Sequence, residues 1–273
     1  MKQRAYEILG NLAIINFPKQ IKQKEKKQFA KQILKQNKQI KTVLTKTKGF
    51  SGRLRKMQTK YLAGEKSKEV LYKENNCFFR FNIDKTYFSA RLSNERKEIS
   101  NEIKKDNKVL VMFAGVGPFS LVIAKNSKAS KVFSNEINRE ANKYEKLNIE
   151  LNKLQKKVQQ IPGDIKRVTK KLLQNSEKGR LCEGNRRCPR FDVIVMPRPQ
   201  LKDSFLEQAF QLSKKGTRIF YYDFCKEDET NLILEKIKSE AKKAKKKIKI
   251  LKTKPAGEIA PYKIRLRIDF KIL

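Results

Sequence analysis

The sequence predicts an α/β protein: a doubly wound, mostly parallel sheet of the Rossmann type, with a smaller N-terminal α+β domain. Three observations point there. Val109–Met112, extended by Phe113, is a short apolar run of β-formers, and it leads through Ala114-Gly115-Val116-Gly117-Pro118 into a helical repeat at Phe119–Lys125. From there to the C-terminus β-rich runs alternate with amphipathic helices and end on a strand pair, the order of a crossover-built sheet. Residues 1–82 lack that alternation, which sets the expected division at 1–82 and 83–273. A chain of 273 residues is long enough to bury a core in each part.

Taken in order, Ala5–Phe17 holds two β-like runs broken at Gly10-Asn11, and Pro18 opens a basic helix over Gln20–Asn37. Ile40–Lys46 reads as a strand. Gly49–Lys60 is basic and glycine-punctuated, an exposed loop or strand pair suited to touching phosphate. Strands at Glu69–Tyr72 and Cys77–Ile83 close the small domain. Thr86–Arg96 links it to a helix over Ser93–Lys104, where Arg91 and Glu95 share a face at i, i+4. That spacing suits an intrahelical ion pair as well as a site. Beyond the glycine turn come a strand at Lys131–Ser134, a helix at Arg139–Asn152, a strand at Val158–Ile161, a basic loop at 178–190 and a buried-type strand at Phe191–Met196. A helix at Leu201–Lys214, a strand at Thr217–Tyr222, a helix at Glu227–Lys247 and strands at Ile248–Lys252 and Lys263–Ile272 complete the chain. The lysines at 242–247 read as a solvated helix face.

The charge balance narrows the partners. Sixty-six Lys and Arg against 28 Asp and Glu give a net charge of +38, beyond what solubility requires, so nucleic acid is the expected partner and lysine-rich composition the plain alternative. No apolar run reaches the roughly 20 residues of a membrane span, and the N-terminus has no signal-peptide core; no membrane partner is expected, and the protein is read as a cytoplasmic monomer. The chain has no histidine, which removes His-based triads and general bases and leaves proton transfer to carboxylate, Lys, Tyr or Cys. Cys77, Cys182, Cys188 and Cys225 form no C-x-x-C pair, so no metal is expected and reduced thiols are the default, with Cys182 and Cys188 the one pair able to meet within a loop.

The glycine turn is the candidate ligand site. Strand, turn and helix bring backbone N–H groups up to a ligand. Glu136 follows Gly117 at the spacing expected of a carboxylate on ribose hydroxyls, roughly 20 residues on. Pro118-Phe119-Ser120 supply no third glycine, which disfavours a dinucleotide pyrophosphate and suits a phosphate-free ligand such as S-adenosylmethionine. An ordinary crossover with an acidic loop has the same pattern. Asp164 after the next strand reads as an acceptor for an adenine amine or as a helix N-cap. Pro197-Arg198-Pro199 ends a strand where parallel-sheet ligands sit.

These segments carry a more specific likeness. YLAGE at 61–65, YFSARLSNER at 87–96, FAGVGPFS at 113–120, NEIN at 135–138, GDI at 163–165 and APYKIRLRIDF at 260–270 resemble, in order, the tRNA (guanine-37, N1)-methyltransferases of archaea and eukaryotes. The likeness begins at that family's small middle domain, and the separate N-terminal domain that many members carry is expected to be missing. The resemblance implies methyl transfer from S-adenosylmethionine to N1 of the guanine 3′ of the anticodon in tRNA. Removing the N1 proton calls for a base and a cation beside O6; the resemblance makes Glu95 the base, Arg55 the O6 partner and Arg91 an orienting residue. It puts Arg96, Phe113, Ala114, Gly115, Val116, Gly117, Glu136, Ile137, Asp164, Ile165 and Pro197 on the cofactor, and Arg198 and Pro199 on the substrate. Three positions depart from the family: Val111 for its Asp, Ala90 for its Pro, and Pro197-Arg198-Pro199 for its Asn-Leu-Pro. Two other readings stand beside this one: an aminocarboxypropyl transferase of wybutosine synthesis using the same cofactor, and a catalytically idle RNA-binding protein.

Overall fold

The computed structural model describes residues 5–18, 20–177, 190–197 and 202–273. Its N-terminal part is a four-stranded sheet of β1 (Tyr6–Leu9), β2 (Leu12–Ile15), β3 (Thr42–Ser51) and β4 (Lys56–Gly64), with α1 (Gln23–Gln36) packed on it. Ala30 and Ile33 of α1 meet Ala13, Ile15, Val43 and Leu62, which is the apolar side that the helical spacing marks out. β2 and β3 run parallel across that helix, and β3 and β4 form a long antiparallel hairpin. The basic stretch 49–60 is therefore a strand pair, and its tip, residues 52–55, projects Arg53, Leu54 and Arg55.

The remainder runs β5 (Glu69–Glu74), β6 (Cys77–Asn82), a 3-10 turn (Ala90–Leu92), α2 (Ser93–Glu102), β7 (Lys108–Met112), α3 (Pro118–Asn126), β8 (Lys131–Glu136), α4 (Arg139–Leu151), β9 (Val158–Pro162), α5 (Ile165–Glu177), β10 (Phe191–Met196), α6 (Leu206–Gln211), β11 (Ser213–Lys226), α7 (Thr230–Lys243), β12 (Ile248–Ala260) and β13 (Lys263–Ile272). Seven strands form one sheet in the order β12-β13-β11-β10-β7-β8-β9. β7, β8, β9, β10 and β11 are parallel, and β13 and β12 add antiparallel at one edge. The chain starts at β7 near the middle, walks outward to β9, and returns to β10 on the far side of β7. The β7/β10 boundary is thus the topological switch point, where strand ends diverge and leave a crevice. Ile99, Phe119 and Ile149 from α2, α3 and α4 cover one face; Leu206, Ile233 and Ile237 from α6 and α7 cover the other.

The β5–β6 hairpin packs with the larger sheet. Cys77, Phe79 and Phe81 join the core that holds Ile99, Val116 and Phe119. Its outer strand is finished by helix amides: Asn152 Oδ1 accepts from Phe78 N at 2.8 Å, Asn152 Nδ2 donates to Phe78 O at 2.7 Å, and Asn148 Oδ1 accepts from Arg80 N at 2.7 Å. These side chains stand in for a neighbouring strand. The same core also takes in Leu9, Leu12, Ile14, Leu44 and Met57 of the N-terminal sheet, so the hairpin bridges the two sheets.

Two helix expectations are shortened. Among the described residues, the helix expected at Leu201–Lys214 is confined to α6, because Ser213 already pairs with Phe191 and a bulge then absorbs residues before Arg218 meets Val193. Thr217 Oγ1 donates to Phe191 O at 2.6 Å and accepts from Lys214 N at 2.8 Å, closing that bulge. The last helix starts after a 3-10 turn at Glu227–Glu229 and stops short of Lys245, whose φ of 52° ends it in the left-handed region. No helix among the described residues is long and apolar enough to cross a membrane.

Candidate functional site

A cleft opens at the switch point, floored by the carboxyl ends of β7, β8, β9 and β10 and roofed by the β3–β4 tip. Gly115, Glu136, Gly163, Asp164 and Pro197 line it from the strand ends, and Arg53, Leu54, Arg55 and Tyr87 line it from above. Gly117 is the left-handed N-cap of α3, with φ 88°. A Cβ there would lie 2.5 Å from Leu121 Cδ1 and 2.9 Å from Glu145 Oε1, so only glycine fits the turn.

Glu136 is the carboxylate that the turn faces. Its Oε2 accepts from Gly115 N at 2.7 Å and its Oε1 from Asn138 N at 2.7 Å. Burial pushes its carboxyl up, and the backbone donors of Asn138, Gly115 and Ile137 oppose that push. Asp164 meets the N-cap reading of its position, and its second oxygen is taken by an arginine of the β3–β4 tip. Oδ1 caps α5 by accepting from Lys166 N at 2.9 Å, while Oδ2 receives Arg53 Nη2 at 2.6 Å on the wall of the cleft. Partial burial raises its carboxyl, but Arg53 and the Lys166 amide outweigh that and hold it below the usual range.

Three non-glycine residues lining the cleft have left-handed backbone: Arg55 (φ 49°), Phe113 (φ 60°) and Phe205 (φ 57°). Such strain is concentrated where the surrounding structure fixes a functional geometry. Phe113 and Phe205 meet edge to face at 4.9 Å between centroids and form an apolar wall beside Ile137 and Ile165. The Arg55 guanidinium carbon sits 4.0 Å from the centre of the Tyr87 ring. Burial lowers the Arg55 guanidinium, Tyr87 opposes this, and nearby Arg265 lowers it further.

Of the expected cofactor residues, Phe113, Gly115, Glu136, Ile137, Asp164, Ile165 and Pro197 line the cleft. Ala114 and Val116 are buried in the core behind the turn, as is Val111, which is enclosed among apolar side chains. Arg96 needs correction. Its side chain is fully buried away from the cleft; Nη2 donates to Glu74 Oε2 at 2.7 Å and to Ser89 O at 3.0 Å, and Nε completes a fork on the same carboxylate. Phe88 and Phe119 flank it, and among the described residues Nη1 alone has no hydrogen-bond partner. The arginine is held by a carboxylate on the β5–β6 hairpin that adjacent sequence does not reveal.

Glu95 and Arg91 also leave the cleft. Glu95 Oε2 accepts from Tyr222 Oη at 2.8 Å and Arg267 Nη1 at 3.2 Å, and Oε1 pairs with Lys254 at 2.6 Å. It is the first of three glutamates, with Glu98 and Glu102, that α2 sets against Arg267, Lys254 and Arg218. Arg91 does not pair with Glu95; it lines a neighbouring groove together with Lys254, Glu258 and Leu266. Glu95 therefore lies beneath that groove and outside the lining of the cleft. Arg198 and Pro199 lie outside the described residues, as do Cys182 and Cys188, while Cys77 and Cys225 are buried free thiols.

The sequence reading missed Arg53, Leu54, Tyr87, Asn138 and Phe205. Asn138 had a usable signal, an Asn ahead of a helix, and it caps α4 by accepting from Glu140 N at 3.1 Å. Arg53 lies in the basic stretch marked for phosphate contact, with no signal for this cleft, and Phe205 had none.

The family described as TRM5/TYW2 methyltransferase domain matches residues 70–251, and that described as TYW2 N-terminal domain matches residues 2–67. The chain is 33% identical over 269 residues to the tRNA (guanine(37)-N(1))-methyltransferase Trm5b of Pyrococcus abyssi, covering 98% of this chain and 74% of that protein. It is 31% identical to the tRNA (guanine(37)-N(1))/4-demethylwyosine(37)-methyltransferase Taw22 of Nanoarchaeum equitans, covering 98% and 100% respectively. A solved complex of aTrm5 with tRNALeu superposes with a TM-score of 0.79 at 28% identity, covering 98% of this chain and 72% of that one. The chain belongs to the TRM5/TYW2 methyltransferase family.

Proposed function

We propose that this protein is a tRNA (guanine-37, N1)-methyltransferase that uses S-adenosylmethionine and works as a cytoplasmic monomer. The observation that supports it most is the composite cleft: an acidic, apolar-walled pocket at the switch point of a methyltransferase fold, roofed by arginines from a basic hairpin. The residues present fit the cofactor. Glu136 would take the ribose hydroxyls, Asp164 the adenine amine, and Phe113, Ile137, Ile165 and Phe205 the faces of the base. When bound, the cofactor supplies a methyl group on a sulfonium.

The protein's own residues supply the rest. The target base must leave its stack to reach the cleft. Arg55, fixed over Tyr87, is positioned to meet O6 and stabilise the charge that develops as N1 loses its proton. Glu95, paired with Arg267 and Lys254 outside the cleft lining, is the proton acceptor in this reading. Lys254 must yield Oε1 when guanine arrives, and its place on the wall of the Arg91 groove lets it turn toward phosphate. Glu95→Gln should bind cofactor normally but lower kcat by about 100-fold or more; a rate within a few-fold of the unaltered protein would assign the base elsewhere.

Incubation with cofactor labelled either on the methyl group or on the aminocarboxypropyl chain separates the two transferase readings. Label entering an unmodified tRNA transcript only from the methyl position supports this one. The match over the whole of the Nanoarchaeum protein favours a second substrate, 4-demethylwyosine at the same position. The same assay on tRNA carrying that base tests it.

A further inference from the structure

The tip of the β3–β4 hairpin ends on a residue that the cofactor is expected to use. Arg53 Nη2 donates to Asp164 Oδ2 at 2.6 Å, while Lys166 N holds Oδ1 at 2.9 Å, so both oxygens of the carboxylate are engaged. The bridge lies at the mouth of the cleft, with the arginine 52% and the aspartate 24% exposed. A solvent-screened pair of that kind contributes little, and a ligand amine can displace it. A guanidinium released there keeps its charge and presents a planar fork suited to phosphate. It also stands among cations. Lys48, Lys56 and Lys60 are exposed on the same hairpin, and Arg55 is two residues away in the cleft itself.

We propose that Arg53 is a coupling residue: it gives up Asp164 to the cofactor amine and turns to an RNA phosphate, so that cofactor and tRNA strengthen each other's binding. The inference rests on Asp164 being the amine acceptor, as set out above. It follows from where the hairpin of the N-terminal sheet touches the larger sheet, and no property of either sheet alone would provide it. Linkage makes the effect reciprocal, so tRNA must tighten cofactor by the factor that cofactor tightens tRNA.

Titration of S-adenosylhomocysteine, with and without saturating tRNA transcript bearing guanine at nucleotide 37, tests this. The unaltered protein should bind S-adenosylhomocysteine about three- to tenfold more tightly with the transcript present. In Arg53→Gln the transcript-free affinity should already match that tighter value, and the transcript should leave it nearly unchanged. Asp164→Asn, which keeps an acceptor and the helix cap, should also lose the coupling. Weaker S-adenosylhomocysteine binding by Arg53→Gln alone, or full coupling surviving in it, would overturn the proposal. Binding of both probes to the unaltered protein without coupling overturns this inference only; failure to bind either probe overturns the functional reading beneath it.

Discussion

Glu145 lies directly under the glycine turn, fully buried, with Oε2 accepting from Gln160 Nε2 at 2.9 Å and Oε1 from the Ser134 hydroxyl. Burial pushes its carboxyl up to about 7, the two donors oppose this, and neighbouring Glu136 adds to it. Because the folded value lies above the unfolded one, the folded state takes up a proton; stability is fully present below the unfolded pKa of about 4.3 and is lost as pH rises toward 7. Glu145→Gln should remove that loss, so thermal melts at pH 5 and pH 8 should differ less in the variant, by on the order of 2–3 kcal/mol. An unchanged difference would mean that Glu145 is ionised in the fold. The Arg96–Glu74 pair makes the opposite case, a charge already compensated. Glu74→Ala strands a fully buried guanidinium and should cost about 3–5 kcal/mol in urea unfolding, against little for Glu69→Ala on the exposed face. Glu136 was legible in the sequence because its distance from the turn is set by one crossover. The partners of Arg96 and Asp164 were not, since Glu74 and Arg53 reach them from separate hairpins.

The two long hairpins carry what the alternating pattern did not show. The basic stretch at 49–60 signalled phosphate contact without revealing that its tip roofs the cleft. β12 and β13 run on past Lys252 to a tip where Tyr262 is 82% exposed, with φ 59°. A bulky ring in solvent, at a backbone conformation that Gly or Asn adopts more readily, has little structural reason to be there. Arg265 on the same hairpin influences Arg55 in the cleft, which puts the tip on the side where RNA would arrive. Tyr262→Ala should raise KM for tRNA several-fold at unchanged affinity for S-adenosylhomocysteine, and Tyr262→Phe should restore it, as base stacking on an aromatic contributes about 1–3 kcal/mol. Equal losses in both variants would assign the hydroxyl, not the ring. Element boundaries went wrong where pairing overrode propensity: Lys214-Lys215-Gly216 looks like a helix end but is a bulge that Thr217 ties to Phe191.

At the scale of the whole molecule, fold class followed from the order of strands and helices, because parallel strands with short crossovers admit few topologies. The site was legible only in part, since the sheet collects residues from strand ends while the roof comes from a separate sheet. A net charge of +38 spread over both parts predicts tRNA affinity that falls steeply with salt, with a log–log slope of about 0.7–0.9 per phosphate neutralised. A shallow slope would make the charge compositional. Sedimentation should show a single chain binding one tRNA. The most direct check of the central claim is nucleoside mass spectrometry after incubation of the protein and S-adenosylmethionine with two tRNA transcripts that differ only at nucleotide 37. The account predicts 1-methylguanosine from the guanine transcript and no methylated nucleoside from its adenine twin; methylation of both, or of another base in either, would contradict it.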